Sequence, residues 1–169
     1  MKQLKIITAM MLLLAAFVPA MAQPGPGDGT YFIVNVATGK ALTTVDGGVN
    51  SNTRLRDFKK SGMQKWRLKK HVAKGKGGKE IASYTIQNTA SGFYLRPYFV
   101  PGNHEAIVSD KDANSSFSIS ADGENFSIKS IKMGGDALYS KGVSAGDDEP
   151  WFAADEGEER YRWQFIATD

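Results

Sequence analysis

Residues 31–36 divide into two interleaved sets with a period of two. Tyr31, Ile33 and Asn35 share one face, and Phe32, Val34 and Val36 share the other. That period predicts a β-strand. Thr38-Gly39 follows as a turn, because glycine tolerates positive φ, and Leu42 reopens an apolar position on a returning strand. The pattern then repeats. Tyr84-Thr85-Ile86-Gln87-Asn88-Thr89-Ala90-Ser91-Gly92-Phe93-Tyr94-Leu95 copies residues 31–42 at a constant offset of 53. A third, worn copy is Phe126-Ser127-Ile128-Lys129-Ser130, continued by Gly134 and Leu138. Each copy closes on an aromatic 33 to 37 positions later, at Trp66, Phe117 and Trp163. Three tandem units of about 40 residues are therefore expected. A lone hairpin buries no apolar face, whereas three around one axis bring Ile, Leu and Trp from each unit together inside.

Further elements follow from the same pattern. Asp46-Gly47-Gly48 signals a hairpin turn, residues 54–58 alternate as a strand with Leu55 inward, and Gln64-Lys65-Trp66-Arg67-Leu68 is the closing strand of the first unit. Residues 74–79 carry only Lys and Gly, which predicts a mobile surface loop before the second unit. In that unit Ala106-Ile107-Val108 reads as a strand, and in the third Tyr161-Arg162-Trp163-Gln164-Phe165-Ile166 is the closing strand.

The run Tyr-x-Ile-x-Asn-x-x-Thr-Gly-x-x-Leu, closed by Gln64-Lys65-Trp66, resembles the ricin B-type lectin repeat with its Gln-x-Trp signature. The resemblance covers roughly residues 29–168. It implies an all-β chain folded as a β-trefoil of three four-stranded repeats, at about 30–73, 83–121 and 125–168, within one domain at 30–169. It also implies a carbohydrate-binding protein. In the family pattern an Asp just after the Leu of the first hairpin accepts sugar hydroxyls, and an aromatic one strand later stacks on the sugar. Here the Asp positions hold Thr43, Arg96 and Tyr139, and Met63 replaces the Asn usual before the Gln. The galactose-type pocket is therefore complete in none of the units. Unit one keeps the most, with Asp46, Asp57, Phe58 and Gln64 as its candidate sugar contacts.

Residues 1–22 read as a secretory signal peptide: Lys2 and Lys5, an apolar stretch from 6 to 18, then Ala20-Met21-Ala22 before Gln23. The expectation is export to the extracellular space with no membrane span. Residues 23–29, rich in Pro and Gly, have nothing to bury and predict a flexible lead. The chain has no cysteine, so its stability rests on packing and sheet hydrogen bonds. Two of its 21 basic residues lie in the signal peptide, which leaves 19 against 18 acidic. That balance, with no reader motif, argues against nucleic acid as a partner.

Charge is distributed unevenly. Residues 54–79 hold 11 basic side chains and one acid, Asp57. Arg54, Arg56, Lys59, Lys60, Lys69 and Lys70 are candidates for a face that attracts anionic glycans or acidic cell surfaces; the alternative is a solvated strand face. Unit three is acidic, and in a threefold arrangement it neighbours unit one, so part of this charge is expected to be neutralised. Two other aromatic sites are candidates for sugar contact. One is the loop at 97–105, with Tyr98 and His104; the other is Trp151, after Asp147-Asp148-Glu149-Pro150. Phe99 and Val100 equally suit a cap on the barrel, and Trp151 equally suits a strand start.

Gly142-Val143-Ser144-Ala145-Gly146 matches the Gly-x-Ser-x-Gly spacing of a nucleophile elbow. The elbow needs a strand before it and a helix after it, and no helical period follows here. Only His71 and His104 are available as bases, and no His or Cys spacing suits a metal. A binding protein without catalysis or cofactor is expected, with glycans or glycoconjugates as partners. A proteinase inhibitor is the other class considered, presenting loop 97–105 or loop 74–79 to a protease. Asn-x-Ser sequons stand at Asn114 and Asn125.

Overall fold

The computed structural model describes residues 25–168, apart from 47, 111–114 and 143–147. The signal peptide, the first two residues of the lead, Gly47, Asn114, Asp147 and the centre of the Gly-x-Ser-x-Gly run lie outside the described residues. Each unit contributes four strands. Unit one has β1 (Gly29–Asn35), β2 (Ala41–Thr44), β3 (Thr53–Arg56) and β4 (Lys65–Lys74). Unit two has β5 (Glu80–Asn88), β6 (Tyr94–Pro97), β7 (Ala106–Ser109) and β8 (Phe117–Asp122). Unit three has β9 (Asn125–Ser130), β10 (Ala137–Ser140), β11 (Pro150–Ala153) and β12 (Trp163–Ala167).

The first and last strands of the units pair antiparallel around a closed ring, β1–β4–β5–β8–β9–β12 and back to β1. Closure removes the exposed edges that an open sheet would present. The middle strands form three hairpins, β2–β3, β6–β7 and β10–β11, each joined to its own unit's first strand. These hairpins meet through bridges Asn52↔Ile107, Leu55↔Asp148 and Glu105↔Trp151, one between each pair of units. A six-stranded barrel capped by a triangle of hairpins is the β-trefoil, and the chain is all-β as its periodicity predicts.

The core repeats with the same symmetry. Ile33, Ile86 and Ile128 come from the first strands, and Leu42, Leu95 and Leu138 from the second. Leu55, Val108 and Phe152 follow from the third strands, and Trp66, Phe117 and Trp163 from the fourth. All twelve are at most 1% exposed. The indole N–H groups of Trp66 and Trp163 donate to Leu42 O and Leu138 O, both at 2.9 Å, so neither polar atom is left unpaired by burial. Gly39, Gly92 and Gly134 hold the first turn of their units at φ of 65°, 72° and 68°. Only glycine adopts that conformation without a steric cost.

Asn35 and Asn88 fasten neighbouring units together. Asn88 Oδ1 accepts the N–H groups of Ala90 and Ser91, while its Nδ2 donates to Met63 O at 3.0 Å and Lys65 O at 3.1 Å. Asn35 does the same between Thr38 and the carbonyls of Arg160 and Arg162. In unit three the position is Ser130, buried, with no hydrogen-bond partner for its hydroxyl among the described residues.

Three sequence expectations are revised. Residues 74–79 are not an isolated loop. β4 runs on past Leu68 to Lys74 and pairs with β5 as far as Lys74↔Glu80, so only a tight turn at Lys76–Gly78 remains. The lead is not loose over its described part. Gly25 lies so close to Tyr84 that an added Cβ would sit 2.8 Å from the phenol oxygen, and Asp28 Oδ1 accepts the Lys70 N–H at 2.6 Å. The turn expected at 46–48 is part of a longer connection, since β2 ends at Thr44 and β3 begins at Thr53. Within it, Asn50 N–H donates to Val108 O and Ser51 O accepts Val108 N–H.

Candidate functional site

Unit one carries an open cleft of about 440 Å³ on its outer surface. One wall is β2 and the residue after it, Thr43, Thr44 and Val45; Arg56 ends β3, and Asp57 begins the segment leading to a 3-10 turn at Gly62–Gln64. Lys40, Lys59, Ser61, Met63 and Gln64 complete the lining.

Gln64 builds this cleft from beneath. Its side chain is 2% exposed. Oε1 accepts the Lys59 N–H at 3.0 Å and the Ser61 N–H at 3.4 Å, while Nε2 donates to Asp57 O at 2.8 Å and Thr43 Oγ1 at 3.2 Å. Both ends of the amide are therefore used, and the loop it holds projects Asp57, Lys59 and Ser61 at the cleft. Thr44 Oγ1 donates to Met63 O at 3.4 Å and closes the opposite side. The exposed carboxylate of Asp57 is a pure acceptor, the hydroxyls act both ways, and Lys40, Arg56 and Lys59 donate. Such a lining matches a ligand rich in hydroxyl groups.

The equivalent surface of unit three is filled. Tyr139 stands where unit one has Thr43, and Tyr161 where it has Gln64. The two rings stack at 4.9 Å and 21°, with Arg160 near both. Burial is the largest influence on the Tyr139 and Tyr161 phenols and pushes both above their ordinary value. In unit two Arg96 replaces Thr43, and its guanidinium donates to Asn50 Oδ1 at 2.7 Å.

Of the candidate sugar contacts, Asp57 and Gln64 come together at the cleft, Gln64 as a support. Phe58 does not line it. Its ring packs edge-on against Phe32 at 5.1 Å, in a small outer cluster with Val34 and Ala41. Asp46 is exposed on the following connection, outside the lining. The backbone segments that carry His104 and Trp151 meet at the hairpin cap, where Phe152 N–H donates to His104 O and Glu105 pairs with Trp151. Lys141 Nζ sits 3.5 Å over the Trp151 ring and Glu149 accepts its indole N–H, so one face and the edge of that ring are engaged. Tyr98 N–H is bonded to Glu105 O, closing the 97–105 loop on itself.

The six basic candidates do not form one face. Arg54 pairs with Glu149 of unit three at 3.5 Å, the neutralisation expected between those units. Lys59 lines the cleft, and Lys60 lines a separate depression of about 170 Å³ with Lys65. Lys69 and Lys70 point to opposite faces of β4. Sequence reasoning had no place for Lys40, Thr44 or Ser61 in a site. The only signal was Thr43, read as a lost Asp rather than as a wall.

Among the described residues no group of three or more His, Cys, Asp or Glu side chains is placed to hold a metal, and no helix is long and apolar enough to cross a membrane. No protein-family model and no curated protein matches the chain. Solved structures do. A designed threefold-symmetric protein, ThreeFoil, superposes with a TM-score of 0.68 at 21% identity over 83% of this chain and all of its own. The Rhizoctonia solani agglutinin gives 0.71 at 23% identity over 87% of this chain and all of its own. A mosquitocidal holotoxin gives 0.73 at 14% identity over 84% of this chain, matched to 17% of the toxin. At these identities the likeness establishes the shared fold.

Proposed function

We propose that the protein is an exported, non-catalytic carbohydrate-binding protein of ricin B-like type, with its working pocket in unit one. The cleft is the observation that carries this reading. It is open, lined by hydroxyls, cations and the Asp57 carboxylate, and held in shape by a saturated buried glutamine. Its size suits a sugar residue held by a few convergent polar groups. The unit-three counterpart is occupied by Tyr139 and Tyr161, which supports one cleft rather than three. An agglutinin among the proteins of the same fold accords with the reading.

Asp57 is the acceptor for sugar hydroxyls, with Thr44 and Ser61 beside it and Lys40 and Lys59 as donors at the rim. A glycan array on the chain from Gln23, at low and high salt, tests the proposal together with Asp57→Ala. A charge-assisted hydrogen bond is worth about 1.5–3 kcal/mol, so Asp57→Ala should weaken glycan binding roughly 10- to 100-fold. Absence of glycan binding by the unaltered chain, or full binding by Asp57→Ala, refutes the site.

A further inference from the structure

We infer that the outward face of β4 is a binding track for a linear polysaccharide bearing anionic groups on successive residues. The inference rests on this strand and not on the unit-one cleft. Trp66 and Leu68 point into the core, so period two places Lys65, Arg67, Lys69 and His71 together on the outside. The His71 Nε2 contact to Thr85 Oγ1 at 3.2 Å marks that shared face on β5. Side chains two apart on a strand are separated by about 7 Å, so the row extends for roughly 20 Å.

Among the described residues the row has no acidic cross-strand partner on β1 or β5, although Asp28, just before β1, accepts the Lys70 N–H at 2.6 Å. Arg67 lies across from Thr30 on β1 and Gln87 on β5, and Lys69 and His71 lie across from Thr85 and Ser83. Among the described residues Lys65, Arg67 and Lys69 make no ion pair. Two like charges about 7 Å apart repel by about 0.6 kcal/mol even in water, and cross-strand pairing with acids would relieve this. Basic residues of unit three are matched in this way: Arg162 bridges Asp122 of unit two and Asp155, and Lys129 reaches Asp155 at 3.2 Å. Folding alone therefore gives no reason for an unmatched row in unit one.

The row ends in a depression of about 170 Å³ with Phe32 and Ile166 in its lining and the cations Lys60 and Lys65 beside them. An apolar surface next to ammonium groups suits a sugar ring with an acidic substituent. Thr30, Ser83, Thr85 and Gln87 alongside the row offer hydrogen bonds to sugar hydroxyls. The outward row carries no Phe, Tyr or Trp to stack a nucleobase and only the smaller His71 ring, which favours a polysaccharide over single-stranded nucleic acid.

The test is titration of the chain from Gln23 with polygalacturonate, neutral dextran and oligo(dT), at several salt concentrations. Polygalacturonate should bind with affinity falling steeply in salt, and dextran should not compete. The triple variant Lys65→Gln, Arg67→Gln, Lys69→Gln should lose at least 10-fold and flatten the salt dependence, since fewer counterions are then released. Arg67→Gln alone should lose about 3-fold. A matched triple at the hairpin tip, Lys74→Gln, Lys76→Gln, Lys79→Gln, should lose less than 3-fold. Thermal melts at the unaltered temperature confirm that both triples are folded. Equal losses from both triples, no polygalacturonate binding, or tighter binding of oligo(dT) overturns the inference. Asp57→Ala should leave polygalacturonate affinity within 2-fold, so failure of the cleft and failure of the track are read separately.

Discussion

Replacing Asn88 by alanine tests how the units are held together. The amide is fully buried and has five hydrogen bonds: three accepted from Ala90 N–H, Ser91 N–H and Ser91 Oγ–H, and two donated to Met63 O and Lys65 O. Lys65 O keeps a bond from Thr89 N–H, and Met63 O keeps a longer one from Thr44 Oγ–H. The two turn N–H groups lose their side-chain acceptor. A net hydrogen bond contributes about 0.5–1.5 kcal/mol, and a buried group left unsatisfied costs about 1–3 kcal/mol. With some of the partners retained, Asn88→Ala should cost about 2–4 kcal/mol. Urea unfolding monitored by tryptophan fluorescence reads this as a midpoint lowered by about 1–2 M at unchanged slope. Asn35→Ala should behave alike, because it joins the turn at Thr38 to Arg160 and Arg162. Ser130→Ala is the control. Among the described residues its hydroxyl has no partner to lose, so stability should be unchanged or slightly raised. An Asn88→Ala cost below about 1 kcal/mol, or a Ser130→Ala cost equal to it, would refute the argument.

Two further outcomes follow from the barrel and from unit three. Trp163→Phe keeps a ring of the kind Phe117 supplies in unit two but strips Leu138 O of its indole donor; it should cost about 2–3 kcal/mol by thermal or urea unfolding, and a loss under about 1 kcal/mol would contradict the role of that bond. Burial alone would raise the Asp155 carboxyl, but hydrogen bonds from Arg162, the Gly157 N–H and Lys129 outweigh it and hold the group at about 2, below its ordinary 3.8. A depressed carboxyl stabilises the fold fully above its unfolded value, and the gain fades as pH falls from about 4 towards 2. The amount is about 2.5 kcal/mol at most, at 1.36 kcal/mol per pH unit. Asp155→Asn should remove that part of the acid dependence in pH-jump unfolding, and an unchanged profile would show that the network is not what holds the charge.

Much of the architecture was already legible in residue order. A period of two, a turn glycine and a closing aromatic, repeated three times, identify Ile33, Ile86, Ile128 and their partners as one core, because a strand that must bury one face leaves its alternation in the sequence. The resemblance led to unit one, and Asp57 does face the cleft there. Parity along β4 was present too: Lys65, Arg67 and Lys69 alternate with Trp66 and Leu68. Counting the basic residues of the whole segment instead of one face grouped Lys69 with Lys70, which lie on opposite sides. What residue order did not decide is where a side chain turns once its neighbours arrive. Phe58 is placed for a stacking platform, yet Phe32 from β1 offers it an apolar surface and takes its ring. Gln64 reads as a sugar contact, yet the chain curls around it and uses both ends of its amide. The cleft of unit one is open and that of unit three is filled because Thr43 and Gln64 are replaced by Tyr139 and Tyr161, two rings that stack only when β10 and the 3-10 turn at Glu159–Tyr161 fold together. Strand periodicity is local and survives in sequence, whereas competition among partners for one side chain is settled only by packing.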